Sequence, residues 1–292
     1  MTFSGLFVPL VTPFTADGEL ACDALARLAH EVLDAGASGL VALGTTGEPA
    51  TLTAEEKARV VDICAQVCAE RDVPLIVGTG SNSTADSEHA LAALDERVSA
   101  ALTVVPYYTK PSQRGVVEHF RRLAQRSPVP LLIYNVPHRT GRPLDPEILT
   151  ELAELPNVAG FKHAVGVVDE TTVAWLAAVG DRTTVLCGDD LYAAPLLAMG
   201  AQGAILTCSN VAPAAYAELI AAWRDGRIEA ARKIGNRLVE LARALFAEAN
   251  PTVVKGVLAA QGRIPSAHVR LPLLPACADS VSAALAAAGP IG

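Results

Sequence analysis

Along the chain, short apolar runs rich in β-branched residues alternate with longer stretches whose apolar positions recur at three and four. The short runs span 6–14, 39–47, 75–80, 101–108, 131–137, 158–166, 184–190 and 203–210. Their apolar content is nearly continuous, as expected of parallel strands covered on both faces. The longer stretches predict helices. In 23–36, leucines and alanines repeat on one face and Gly36 stops the helix. The helix at 53–70 opens with Thr53 and Glu56 in a capping-box spacing. Eight strand-helix repeats with right-handed crossovers predict a closed (β/α)8 TIM barrel over 1–224. After about residue 225 the strand signal ends. Helices at 227–249 and 251–261, the segment LPLLP (271–275) and a last alanine-rich helix predict a C-terminal helical extension over 225–292, packed on the barrel as one structural unit.

Composition fits that architecture. The 292 residues are 51% hydrophobic and 4% aromatic, the profile of a globular protein with a large core. Net charge is −8 and Arg121-Arg122 is the only basic cluster, which argues against nucleic acid and anionic membranes as partners. The opening MTFSGLFVPLVTPF has no Lys or Arg before its apolar run and reads as a first strand, so a cytoplasmic location is expected. Six cysteines lie scattered. Cys64 and Cys68 share a helix face, but no second pair completes a metal site, so reduced, packed thiols are expected.

In such a barrel, reactive groups come from the C-terminal ends of the strands. Those ends supply Thr45-Thr46, Gly80, Tyr107-Tyr108, Tyr134-Asn135, Lys162-His163, Gly188-Asp189-Asp190 and Ser209-Asn210. No His and carboxylate cluster has metal spacing, so neither a metal nor a separate cofactor is expected. Lys162 is one of five lysines and sits in an apolar run, VAGFKHAVG. A desolvated amine attacks carbonyls and forms a Schiff base. A lysine that reaches the rim or pairs with a buried carboxylate accounts for the position equally well. Lys255, also among apolar residues, lies in the helical tail, where the packed or paired reading is favoured. Three tyrosines at strand ends beside two threonines offer a hydroxyl chain for moving protons, although any one of them is ordinary at a rim. The GTTGE turn frees backbone N–H groups to hold an anion.

Taken together, GTTGE (44–48), GTGSN (78–82), VVPYYTKPSQRG (104–115), YNVPHRTG (134–141), GFKHAVG (160–166), CGDD (187–190), NP and VK (250–255) and RLPLLP (270–275) run from end to end in order. In these motifs the sequence resembles the dihydrodipicolinate synthase family, within the pyruvate-dependent Schiff-base aldolases that include N-acetylneuraminate lyase. The resemblance implies a homotetramer, a dimer of dimers, in which Lys162 forms a covalent Schiff base with pyruvate. It implies that Tyr134 exchanges protons through Thr45 with Tyr108, the last from a neighbouring subunit. Thr46 would hold the pyruvate carboxylate, with Gly188 and Ile205 lining the site. Arg139 would meet the carboxylate of L-aspartate 4-semialdehyde, a task that suits a guanidinium. The expected reaction is condensation to 4-hydroxy-tetrahydrodipicolinate, in lysine and diaminopimelate biosynthesis.

Two features depart from the family pattern. His163 stands where a carboxylate usually follows the lysine, and a strand histidine facing a helix with one hydrogen bond is the expectation for it. Ala54 and Lys57 stand where lysine-inhibited members carry histidines. Ser81, Asn82, Asp86 and Tyr107 remain candidates for an inter-subunit allosteric pocket, with weak or absent feedback by lysine expected. Two alternatives are an aldolase or dehydratase acting on a 2-keto-3-deoxy sugar acid or N-acetylneuraminate, and a catalytically silent binding barrel. The Lys162, Tyr134, Thr45 and Tyr108 set argues against the last.

Overall fold

A computed structural model describes residues 3–289. Eight strands form: β1 Gly5–Pro9, β2 Gly39–Ala42, β3 Leu75–Gly78, β4 Ala100–Val104, β5 Leu131–Asn135, β6 Val158–His163, β7 Thr184–Cys187 and β8 Gly203–Ile205. They pair in sequence order as one closed parallel barrel, the predicted (β/α)8 fold. The helices are α1 Cys22–Asp34, α2 Ala54–Arg71, α3 Thr84–Ala92, α4 Gln113–Arg126, α5 Pro137–Thr140 and α6 Pro146–Ala153. They continue as α7 Glu170–Val179, α8 Ala193–Ala198, α9 Pro213–Arg224, α10 Ile228–Leu245, α11 Thr252–Ala260 and α12 Ala278–Ala288.

Every predicted strand is present, and every one is shorter at its C-terminal end than its apolar run suggests. Three runs pass directly from ladder to tight 3-10 turns, at Thr45–Gly47, Asp190–Tyr192 and Thr207–Asn210. In these turns every residue but the exposed Thr45 stays buried or half-buried although the ladder has stopped. Apolar continuity reports burial and cannot mark the residue at which pairing ends.

The chain divides into two compact units. One contains Ile76–Ala204 with the N-terminal residues to Ser4. In it all five residues of β5 are buried, as a strand covered on both faces requires. Its helix α4 turns Val116, Val117, Phe120, Leu123 and Ala124 inward at helical spacing. The other unit contains Gly5–Leu75 and the chain from Ile205 onward. Here α1 buries Ala24, Leu25, Leu28, Ala29 and Val32. The predicted capping box at α2 is formed in both directions, Thr53 Oγ1 accepting from Glu56 N and Glu56 Oε2 from Thr53 N. Such a cap contributes about 1 kcal/mol. Cys64 and Cys68 are both buried, and all six cysteines are free thiols. Past residue 225 the described chain is helical, in α10, α11 and α12, and LPLLP forms no helix.

The register of β6 fixes what the barrel presents. Leu131 pairs with Val158 but Leu132 with Gly160, so Ala159 is bulged out of the β5–β6 ladder. From there the pairing runs Ile133 with Phe161, Tyr134 with Lys162, and Asn135 with His163. Gly160 has a φ of 157°. A Cβ on it would strike the Thr184 carbonyl oxygen and approach Thr184 Cβ to 2.8 Å. Only glycine lets β6 and β7 close here. Gly160→Ala should destabilise the fold by about 2–4 kcal/mol, within the range for backbone collisions in a packed core. Urea unfolding checks this, and a loss below about 0.5 kcal/mol would show that β6 shifts freely.

Candidate active site

Within the Ile76–Ala204 unit, the ends of β5 and β6 bring two predicted residues together. Adjacent strand residues face opposite sides, and register partners face the same side. Lys162 therefore shares a face with Tyr134, and its Nζ lies 4.4 Å from the centre of the Tyr134 ring. Both are buried. Lys162 forms no ion pair among the described residues, which removes the paired reading left open by its position. Burial pulls its pKa down from 10.5 to about 8. The Arg139 charge acts in the same direction, while Asp190 and Asp189 oppose it.

Gly188 follows β7 and donates from its backbone N to the His163 carbonyl at 2.7 Å. A Cβ there would come within 2.6 Å of Lys162 Cγ and 2.8 Å of Cε. The lysine stem runs through the space that glycine leaves.

His163, one residue on, faces the other way. Its Nε2 lies 3.3 Å from Thr172 Oγ1 on α7, and its ring stacks on Trp175 with centroids 5.0 Å apart. Asn135 Nδ2 lies 3.5 Å from Nδ1. Burial lowers its pKa to about 4 against the pull of Asp169. The imidazole is neutral at pH 7 and faces a neighbouring helix, as expected, with a second, longer hydrogen bond to Asn135 beside the predicted one.

Arg139 lies on the short α5 and is exposed, with no ion pair among the described residues. Tyr108 follows β4 with a φ of 68° and is 86% exposed. A left-handed backbone is costly for a bulky side chain, and the ring stands largely uncovered by the described residues. Tyr107 is 40% exposed. Ser81 and Asp86 both turn to Ser83, whose N donates to Ser81 Oγ and whose Oγ accepts from Asp86 N. Those bonds are a loop and the N-cap of α3, and Asn82 lies between them.

In the other unit, Thr45 and Thr46 open the 3-10 turn after β2. Thr45 is exposed in the single chain, and Thr46 is buried. Thr46 Oγ1 meets Thr207 Oγ1 at 2.9 Å, and Asn250 Nδ2 donates to both, at 3.2 Å and 3.3 Å. Ile205 ends β8 and is buried. Thr207 and Asn250 were not singled out from the sequence, although the Asn-Pro of the 250–255 motif was the available signal. Lys255 is fully buried and paired with Glu48 at 2.8 Å, as the paired reading of it expects. Among the described residues, no group of three His, Cys, Asp or Glu is placed to hold a metal ion. No described helix is long and apolar enough to cross a membrane.

Comparison with known proteins adds an independent line. The family model described as the dihydrodipicolinate synthetase family matches residues 2–288. A 4-hydroxy-tetrahydrodipicolinate synthase of Methanothrix thermoacetophila is 41% identical over 274 residues, 94% of this chain and 92% of that protein. One from Pseudomonas aeruginosa is 40% identical over 290 residues, 98% of each. The crystal structure of the chloride-inhibited dihydrodipicolinate synthase of Acinetobacter baumannii, complexed with pyruvate, superposes with a TM-score of 0.94 at 37% identity over 99% of each chain. With a matching fold, a buried strand-end lysine and relatives aligned over nearly their whole length, the chain belongs to the dihydrodipicolinate synthetase family.

Proposed function

We propose that this protein is a 4-hydroxy-tetrahydrodipicolinate synthase, condensing pyruvate with L-aspartate 4-semialdehyde. The observation that carries the proposal is the buried, unpaired Lys162 amine, lowered to about 8 and held against Tyr134. The neutral amine adds to the pyruvate ketone, and loss of water leaves an iminium on Lys162. That cation draws electrons from the methyl group, which loses a proton to give an enamine. The enamine carbon attacks the aldehyde carbon of the second substrate, whose oxygen takes a proton. The amino group of the second substrate then displaces Lys162 from the iminium carbon, closing the ring and freeing the enzyme. No separate cofactor enters these steps.

Each proton transfer needs a group that gives and takes, and Tyr134 is the residue we assign to it. In this reading Thr45 links it to Tyr108 of a neighbouring subunit. The exposed, left-handed Tyr108 supports that assignment, because its ring has no use within one chain. Thr46 holds the pyruvate carboxylate, Gly188 and Ile205 line the site, and Arg139 takes the carboxylate of the semialdehyde. The working form is a homotetramer, a dimer of dimers, in the cytoplasm.

Pyruvate followed by borohydride should give one reduced adduct per chain, on Lys162, and Lys162→Ala should give none; a wild-type protein without the adduct would sink the Schiff-base reading. The trapping rate should rise about tenfold per pH unit below the amine's pKa. It should level above about pH 8, since only the neutral form attacks. A flat profile between pH 6 and 8 would put the titrating group elsewhere. Arg139→Ala should leave trapping intact and raise KM for aspartate semialdehyde by about tenfold or more, the scale of a lost charge-assisted contact. Tyr108→Phe should lower kcat with little change in melting temperature. The sugar-acid alternative predicts turnover of 2-keto-3-deoxy acids in place of the semialdehyde. With Ala54 and Lys57 at α2, free lysine should inhibit weakly or not at all, and strong inhibition below the millimolar range would contradict this.

A further inference from the structure

The turn that carries Thr45 and Thr46 ends at Glu48. Glu48 is a buried carboxylate with a left-handed φ of 53°, and its N–H closes the turn on the Thr45 carbonyl at 3.2 Å. A non-glycine residue takes that backbone at a cost, so something must hold it there. Its carboxylate points inward. Oε1 accepts from Lys255 Nζ at 2.8 Å, where the lysine has no solvent exposure, and Oε2 accepts from Arg270 N at 3.1 Å. Lys255 Nζ and the Arg270 guanidinium also lie 4.1 Å and 4.3 Å from the centre of the same Phe14 ring. Arg270 continues outward to both carboxylate oxygens of Glu56 at the start of α2.

The same turn is gripped elsewhere. Thr12 Oγ1 donates to the Gly47 carbonyl at 2.7 Å, and Asn250 Nδ2 donates to Thr46 Oγ1. Asn250 and Lys255 are five residues apart across the start of α11, so one segment holds the turn at Thr46 and again at Glu48. Neither charge has a described role at the substrate, and a buried ion pair stabilises a fold no better than an apolar pair of similar size. What the pair adds is direction. A carboxylate held by two donors fixes the rotation of the turn, which an apolar contact leaves free to slide.

We infer that the buried Glu48–Lys255 pair is a positioning device, which sets the 45–48 turn so that the Thr45 and Thr46 hydroxyls stand where the substrate needs them. Glu48 and Lys255 are positioning residues: they act through the turn and do not touch substrate. The inference rests on the proposed roles of Thr45 and Thr46.

The test uses Glu48→Gln, which keeps the shape and removes the charge, and the double variant Glu48→Leu/Lys255→Met, which replaces both charges by apolar groups. Each is compared with wild type and Thr46→Val for melting temperature, amplitude and rate constant of pyruvate trapping by borohydride, and kcat and KM. A positioning role predicts full trapping amplitude in both variants. It also predicts a trapping rate constant and kcat about 10–100-fold below wild type, the scale expected when reacting groups are displaced by about an ångström. The double variant should melt close to wild type and still be slow. If amplitude falls with the folded fraction while the rate constant and kcat per trapped site stay within twofold of wild type, the pair only holds the fold and the inference is overturned. Wild-type protein without an adduct overturns the Schiff-base reading, and the inference falls with it. Thr46→Val indistinguishable from wild type removes the role of Thr46 alone and overturns the inference while leaving Lys162 chemistry in place.

Discussion

Everything at the amine depends on the phase of β6. A strand gives alternate residues to alternate faces, so Lys162 and His163 cannot share one. The bulge at Ala159 decides which of them faces Tyr134. Without the bulge the pairing would slip by one, setting Phe161 opposite Tyr134 and turning the amine to the other face. The surroundings are cut to the observed phase on both sides. Trp175 and Thr172 receive the imidazole, and the missing side chain at Gly188 admits the lysine stem.

Among the described residues two lysines are buried, and only one of them is tied to a carboxylate. Burial draws both down to about 8. Lys255 is met by the Glu48 carboxylate at 2.8 Å, a partner that favours the charged form and fixes the amine in place. Lys162 faces an aromatic ring and feels its nearest carboxylates, Asp190 and Asp189, only as more distant charges. Desolvation alone therefore does not select the reactive group. The absence of a hydrogen-bonded carboxylate leaves the Lys162 lone pair available to a carbonyl.

The sequence made the barrel legible because its signal is local. Eight apolar runs and the helices between them can be read one window at a time, and the α2 capping box needs only residues 53 and 56. The motif around Lys162 placed it at a strand end, which the register with Tyr134 bears out. Two kinds of information were not local. Strand ends are overrun because burial continues past them, fully in the Thr207–Asn210 turn after β8 and in part in the turns after β2 and β7. The bonds around Thr46 were hidden because Thr207 and Asn250 lie 161 and 204 positions away in the chain. Nothing in VAGFKHAVG announces that Ala159 lies out of register, so the pairing of β6 with β5 is legible only in the ladder itself.

Those long-range bonds give the helical tail a task at the turn after β2. A 3-10 turn such as Thr45–Gly47 has too few internal hydrogen bonds to hold two hydroxyls in place. The bonds it lacks come from side chains on the turn after β8, on Asn250 just before α11 and on Thr12 in the loop after β1. A helix start suits the task because it supplies Asn250 and Lys255 from a short rigid stretch, and the apolar face of α11 at Val253, Val254, Val257 and Leu258 is buried enough to anchor them. The core of the helical tail in this sense supports a turn more than two hundred residues earlier in the chain, through Asn250 at Thr46 and Lys255 at Glu48.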